Sequence, residues 1–265
     1  MNIVVLPSTE AIARAGADLY TELLSAKPDV VLGLATGSSP LPVYKELIRR
    51  YEEGEVSFKD AQAFLLDEYV GLPADHPEGY RNFIQREFAS QVDFAEGAVH
   101  GPDGNDPNPK QAAKEYEASI VASGGIDLQI MGIGTDGHIA FNEPGGSLTS
   151  TTHTQVLTEQ TRRDNARFFN DDIDLVPHYC LTQGLGTISR AKKIVLVAEG
   201  EQKADAIAAM VEGNVSAMCP ASVLQFHNDA TILIDEAAAS KLQYKDYFRA
   251  VYEGEKALEA LADSK

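Results

Sequence analysis

The sequence has few basic residues, few cysteines and no long apolar run. Lysine and arginine number 22 against 40 aspartates and glutamates, so the formal net charge is -18. Such a chain is repelled by nucleic-acid backbones and anionic lipid surfaces, and we expect neither as a partner. Salt screens distant charges beyond about 8–10 Å. An anionic ligand would therefore need a few cations and N–H donors placed beside it, not a basic face.

The two cysteines, Cys180 and Cys219, provide neither a disulfide framework nor the spacing of a zinc site. They are typical of reduced thiols in the cytoplasm. No stretch approaches the roughly 20 apolar residues that cross a bilayer. Residues 1–7 lack the basic and long apolar regions of a secretory signal. We therefore expect a cytoplasmic location.

Short apolar runs alternate with amphipathic stretches. Runs typical of buried parallel strands cover residues 3–6, 30–34, 63–66, 126–133, 194–198 and 231–234. Helices are predicted over residues 10–26, 40–53, 110–122 and 202–211. This alternation predicts an α/β fold, Rossmann-like and doubly wound, with a mostly parallel sheet and helices on both faces. We expect one domain over residues 1–265, with the polar stretch 149–179 as a loop-and-helix excursion over the site.

A small, hydroxyl-rich turn follows the second apolar run and precedes a predicted helix. Its residues are Thr36, Gly37, Ser38 and Ser39. Backbone N–H groups, the helix dipole and the hydroxyls can together bind an anion there. The segment is neither a Walker A loop nor a GxGxxG motif, and a capped turn without a ligand is the structural alternative.

Two acids, Asp67 and Glu68, directly follow the third apolar run. In a dry pocket at a strand end, a carboxylate with its pKa raised above roughly 4 could serve as a base. The structural alternative is helix capping or a solvated turn.

Residues 130–145 are the most specific segment of the sequence. Within this glycine-rich loop, Asp136, His138 and Glu143 place two carboxylates around one imidazole. A carboxylate fixes the imidazole tautomer and suits the ring to proton transfer. A metal site is conceivable from these three residues, but their spacing matches neither HExxH nor a familiar zinc pattern.

Two further residues, Arg167 and Lys203, are candidate cations for a phosphate, with a solvated surface charge as the alternative for each.

Taken in order, five segments resemble the glucosamine-6-phosphate deaminase family: residues 32–37, 66–72, 134–144, 165–169 and 202–204. The run Gly-His-Ile-Ala-Phe-Asn-Glu-Pro at 137–144 is the most specific. The resemblance implies conversion of glucosamine 6-phosphate into fructose 6-phosphate and ammonia, without a cofactor or metal. It implies that Asp67 moves a proton from C2 to C1, and that His138, supported by Asp136 and Glu143, opens the sugar ring. The residues that it assigns to the phosphate are Thr36, Gly37, Ser38, Ser39, Arg167 and Lys203.

The resemblance also implies a mobile lid over about residues 153–182. Hexameric members of the family are activated by N-acetylglucosamine 6-phosphate through basic residues shortly after the Glu-Pro motif, whereas residues 145–156 here contain no lysine or arginine. We therefore expect no such activation, and a monomer or small homo-oligomer. Two alternatives share the fold: a 6-phosphogluconolactonase-like hydrolase and a non-catalytic sugar-phosphate sensor domain.

Overall fold

The predicted apolar runs form six strands of a seven-stranded parallel sheet, as the computed structural model of the chain shows for residues 1–263. The strands are β1 (Asn2–Leu6), β2 (Val31–Leu34), β3 (Gln62–Leu65), β4 (Asp67–Tyr69), β5 (Val99–His100), β6 (Leu128–Met131), β7 (His153–Val156), β8 (Tyr179–Thr182), β9 (Lys193–Ala198) and β10 (Ala230–Asp235). The helices are α1 (Thr9–Ala26), α2 (Leu41–Glu52), α3 (Tyr80–Glu87), α4 (Pro109–Ala122), α5 (Glu159–Asn165), α6 (Leu185–Ile188), α7 (Ala204–Val211) and α8 (Lys245–Asp263).

The large sheet has the order β1-β10-β9-β6-β2-β3-β5, and every pair in it is parallel. From β2 the chain builds outward through β3 and β5, and from β6 it builds in the opposite direction through β9 and β10. The reversal lies between β2 and β6, and such a switch point leaves a crevice beyond the carboxyl ends of the strands. The α/β prediction with a mostly parallel sheet is confirmed.

Helix boundaries follow the local chemistry of the chain. The Ser8 hydroxyl accepts the Ala11 N–H at 3.2 Å, and the side chain of Asn108 accepts that of Gln111 at 3.3 Å, so both residues cap helix starts. The helix predicted from residue 202 is wrong at its start. Residues Glu201–Lys203 form a separate 3₁₀ turn before α7.

A second, three-stranded antiparallel sheet has the order β4-β8-β7 and was not predicted. Its strands β7 and β8 are the first and last parts of the segment 153–182, which we call the lid segment. A separate apolar cluster packs this segment against residues that precede it in the chain. Its buried members are Tyr69, Leu72, Phe141, Leu157, Ala166, Phe169, Val176 and Cys180. Among the helices of residues 1–263, none combines the length and apolarity needed to span a bilayer.

Candidate active site

A cavity of about 650 Å³ opens where β9, β6, β2 and β3 end. Eight of the residues predicted from the sequence line it: Thr36, Gly37, Ser38, Ser39, Asp67, His138, Arg167 and Lys203. The structure therefore gathers residues more than 160 positions apart around one space, at the switch point of the sheet. Asp136 and Glu143 do not line the cavity, but their carboxylates lie within 4.8 Å of the His138 imidazole.

The hydroxyl-rich turn follows β2 directly and is fixed at its base by Tyr44. The phenol of this fully buried tyrosine donates to the Ala35 carbonyl at 2.8 Å and accepts the Ala35 N–H at 3.0 Å. Helix α2 then begins at Leu41 with Pro40 as its N-cap, and no side chain caps that end. The serine hydroxyls line the cavity, and the positive end of the α2 dipole lies directly after them.

Asp67 lies at the inner wall of the cavity and is 6% exposed. Within residues 1–263 its carboxylate accepts no hydrogen bond. Burial, reinforced by the nearby charge of Glu68, raises the pKa of Asp67 well above its usual value. This carboxylate combines burial with a position on the cavity lining, as the prediction of a base in a dry pocket requires.

Glu68 has the opposite surroundings because alternate residues of a strand face opposite sides. Its carboxylate accepts the backbone N–H groups of Tyr69, Tyr80 and Arg81, each at 2.9 Å. Two of these donors open α3, whose own N-cap, Gly79, has no side chain to offer. Helix capping, the structural alternative for this acidic pair, therefore holds for Glu68 and not for Asp67.

His138 is held by a tight loop after β6. The Gly134 N–H donates to the His138 carbonyl at 2.8 Å, and a Cβ at position 134 would lie 2.2 Å from the imidazole Cε1. Any side chain there would displace the ring, so the loop requires glycine. The Asp136 carboxylate accepts the His138 N–H at 3.1 Å and lies 2.7 Å from the ring Nδ1. Burial opposes the ionisation of Asp136, but these contacts outweigh it and lower the pKa of Asp136.

Glu143 is buried, lies near His138 and bonds to the lid segment. Its Oε1 accepts the Thr161 hydroxyl at 2.7 Å and the Thr158 N–H at 3.2 Å. The donor atoms of Asp136, His138 and Glu143 lie within 4.8 Å of one another. A divalent cation could use two carboxylates and an imidazole at this spacing, but Asp136 already bonds to His138 and Oε1 of Glu143 already accepts two hydrogen bonds, which leaves Oε2 of Glu143 without a partner among residues 1–263. The arrangement favours an oriented imidazole for proton transfer.

Two cations face the cavity from opposite sides. Lys203 ends the 3₁₀ turn after β9 and donates from Nζ to the Ile133 carbonyl at 2.6 Å. Burial, and then the nearby charge of Arg167, lower the pKa of Lys203. Arg167 lies in the 3₁₀ turn Ala166–Phe168 of the lid segment, with its guanidinium 4.7 Å from the centre of the Phe168 ring. Two cations on the lining of one cavity favour an anionic ligand there.

Sequence reasoning missed several residues that line the cavity, among them Tyr69, Tyr80 and Asn165. Tyr69 stands two positions after Asp67 in a strand, and this period-two spacing could have indicated the same face. Neither Tyr80 at the start of α3 nor Asn165 at the end of α5 has a comparable local signal, because both reach the cavity through the packing of distant elements.

Comparison with known proteins gives consistent matches. Residues 7–233 match the family model of glucosamine-6-phosphate isomerases and 6-phosphogluconolactonase. The chain is 62% identical over 252 residues to a glucosamine-6-phosphate deaminase of Beutenbergia cavernae, covering 95% of this chain and 97% of that protein. It is 58% identical over 261 residues to one of Mycolicibacterium smegmatis, covering 98% of this chain and all of that protein.

Solved structures agree with the fold. A monomeric glucosamine-6-phosphate deaminase of the NagB superfamily matches with a TM-score of 0.89 and 40% identity, covering 91% of this chain and all of that one. The 6-phosphogluconolactonase of Trypanosoma brucei matches with a TM-score of 0.73 at 18% identity, covering 91% of this chain and 98% of that one. The second similarity concerns the fold alone.

Proposed function

This chain belongs to the family of glucosamine-6-phosphate isomerases and 6-phosphogluconolactonases, and we propose that its cavity converts glucosamine 6-phosphate into fructose 6-phosphate and ammonia. The observation that carries the proposal is Asp67, a buried base in the same cavity as His138 and a two-cation anion site. A lactonase has no need of a base that moves a proton between carbons. A sensor domain has no need of the acid–base set at all.

The phosphate lies between the turn 36–39 and the cations Arg167 and Lys203. Its oxygens accept hydrogen bonds from the hydroxyls and backbone N–H groups of this turn, next to the positive end of the α2 dipole. On binding, the dianion stabilises the protonated form of Lys203, whose charge is otherwise disfavoured by burial. Binding energy at this end of the sugar positions the reacting carbons at the other end.

His138 transfers the proton that opens the pyranose ring, while Asp136 and Glu143 hold its imidazole. In the open aldehyde, Asp67 removes the proton from C2, the C1–C2 double bond forms, and the aldehyde oxygen takes up a proton from the substrate ammonium group, which gives an enolamine. Return of that proton to C1 gives the ketimine of fructose 6-phosphate. Water adds at C2, ammonia leaves, and the keto sugar phosphate remains. Each step moves protons between groups already in the cavity, so the scheme requires no metal or cofactor.

The segment 153–182 is the lid of this single catalytic domain. It contributes Arg167 to the phosphate site and Thr158 and Thr161 to Glu143, so its closure would complete both ends of the cavity. We also propose a cytoplasmic monomer or small homo-oligomer without activation by N-acetylglucosamine 6-phosphate. Supporting this, residues 145–156 offer no lysine or arginine to a second phosphate.

The test is the production of ammonia and fructose 6-phosphate from glucosamine 6-phosphate in metal-free buffer, with and without N-acetylglucosamine 6-phosphate. We expect equal amounts of both products and the same rate in both conditions. Hydrolysis of 6-phosphogluconolactone without ammonia release would replace the proposal with the lactonase. Binding of sugar phosphates without any turnover would replace it with the sensor domain. Strong activation would overturn only the absence of the second phosphate site.

A further inference from the structure

Tyr69 joins the strand of the proposed base to the lid segment. Its side chain lies on the same side of β4 as that of Asp67, two residues earlier, and is 1% exposed. The Tyr69 phenol oxygen accepts a hydrogen bond from the Asn165 side-chain amide at 3.0 Å. A residue of the rigid sheet thus bonds directly to the last residue of α5.

The same tyrosine also contacts the lid segment a few residues further on. The Phe169 ring packs edge-on against the Tyr69 ring, with centroids 5.6 Å apart and planes at 83°. Between these two contacts lies the 3₁₀ turn Ala166–Phe168, which Asn165 precedes and Phe169 ends. Tyr69 therefore holds both ends of one turn, by its hydroxyl at the start and by its ring at the end.

Arg167 is the middle residue of that turn. Within residues 1–263 its guanidinium has neither a salt bridge nor a hydrogen bond, and it lies over the adjacent Phe168 ring. The direction of the side chain is therefore set by the backbone of the turn. A contact that holds this turn against the sheet therefore also sets the distance between Arg167 and Lys203. Both cations can bind one dianion only if that distance is right.

We propose that Tyr69 is a positioning residue of the phosphate site, whose hydroxyl bond to Asn165 sets the turn that presents Arg167 to the substrate phosphate. The inference rests on the proposed function, because it concerns the same cavity and substrate. It differs from a packing role in one respect. The hydroxyl should matter for phosphate affinity, and it should matter only while Arg167 is present.

Tyr69→Phe keeps the ring that packs on Phe169 and removes the hydroxyl, which accepts the Tyr80 hydroxyl at 3.3 Å as well as the Asn165 amide. Asn165→Ala removes the donor of the same bond. We expect either change to raise KM for glucosamine 6-phosphate about fivefold to tenfold, as expected for weakening one charge-assisted contact. The kcat should change less than KM. The dissociation constant of inorganic phosphate, measured by calorimetry, should rise in parallel.

The decisive comparison adds Tyr69→Phe to Arg167→Ala. We expect no further rise in KM, since the arginine that the hydroxyl positions is gone. Tyr20→Phe is the matched control. Its phenol is also fully buried, but within residues 1–263 it has no hydrogen-bond partner, and its loss should leave KM and phosphate binding unchanged.

Unchanged KM and phosphate affinity in Tyr69→Phe would overturn the inference, as would equal rises with and without Arg167. A lower melting temperature with unchanged KM would assign the hydroxyl to stability alone. These outcomes are distinct from failure of the proposed function, in which the unmodified chain itself releases no ammonia. The calorimetric measurement with inorganic phosphate tests the positioning even in that case.

Discussion

Asp67 and Glu68 are consecutive residues whose carboxylates have opposite surroundings. That of Asp67 lies in the cavity and, among residues 1–263, has no hydrogen-bond donor, whereas that of Glu68 accepts three backbone N–H groups at 2.9 Å. One carboxylate is thus left available for chemistry and the other holds the start of α3. Substitutions at these two adjacent positions can therefore separate effects on activity from effects on stability.

Asp67→Asn should abolish turnover and leave binding of fructose 6-phosphate largely intact. Loss of a general base costs about 10²–10⁴-fold in rate. In the unmodified chain the base must be ionised to remove a proton. Burial raises the pKa of Asp67 above its ordinary value of 3.8, so kcat should fall as the pH drops toward this raised pKa. Initial rates between pH 5 and 8 would check this. Turnover by the asparagine variant at the normal rate would remove Asp67 as the base.

The same substitution should stabilise the fold at neutral pH. Because the folded-state pKa of Asp67 is raised, its contribution to stability is fully present below the unfolded value near 3.9 and is lost as the pH rises through the folded value. Asparagine carries no charge to desolvate, so the melting temperature should rise, by about 2–4 °C for each kcal/mol regained. Glu68→Ala should instead lower stability by about 1–2 kcal/mol through loss of the cap. Equal effects of the two substitutions in denaturant titrations would contradict the separation.

Binding of fructose 6-phosphate should weaken at alkaline pH because of Lys203. The ammonium must be protonated to attract the dianion, and burial and Arg167 lower its pKa, so affinity should begin to fall below pH 10.5. Calorimetry between pH 7.5 and 10 measures this without the titrating amine of the substrate. Lys203→Arg keeps its charge throughout this range. If the arginine variant lost affinity over the same range, another group would be responsible.

Thr161→Val should lower kcat/KM by about three- to tenfold, because Glu143 loses one of its two donors and holds the imidazole less firmly. Thr161→Ser keeps the hydroxyl and should retain most of the activity. Initial rates at low substrate concentration compare the two. Equal losses in the valine and serine variants would show that the methyl group matters and the hydroxyl does not.

The parallel sheet could be predicted because its strands are buried on both faces and appear as continuous apolar runs. The sheet β4-β8-β7 could not, since its strand His153–Val156 is half exposed and polar, and its partners are distant in sequence. The strand prediction over 126–133 is too long at both ends, since β6 covers Leu128–Met131 and Gly132 and Ile133 leave the sheet to line the cavity. Hydrophobicity alone does not distinguish a strand residue from an apolar residue of the site.

The loops of the site could be predicted because the carboxyl ends of neighbouring parallel strands meet at one edge. Sequence could not assign different surroundings to Asp67 and Glu68, since the alternation that separates them depends on β4. Nor could it find the bond between Tyr69 and Asn165, which exists only once the lid segment packs on the small sheet.

The order of strands in the large sheet has a consequence for synthesis of the chain. The strand β10 lies between β1 and β9 and pairs with both, with Asn2 opposite Thr231. At roughly 5–20 residues per second, β1 would wait about 10–45 s on the ribosome for its neighbour. β10 also carries Asp235, whose carboxylate accepts the Gly200 N–H at 3.0 Å at the start of the turn that bears Lys203. The last strand translated therefore both completes the sheet and bonds to the start of the turn that carries Lys203, so a nascent chain stalled before residue 230 would lack both.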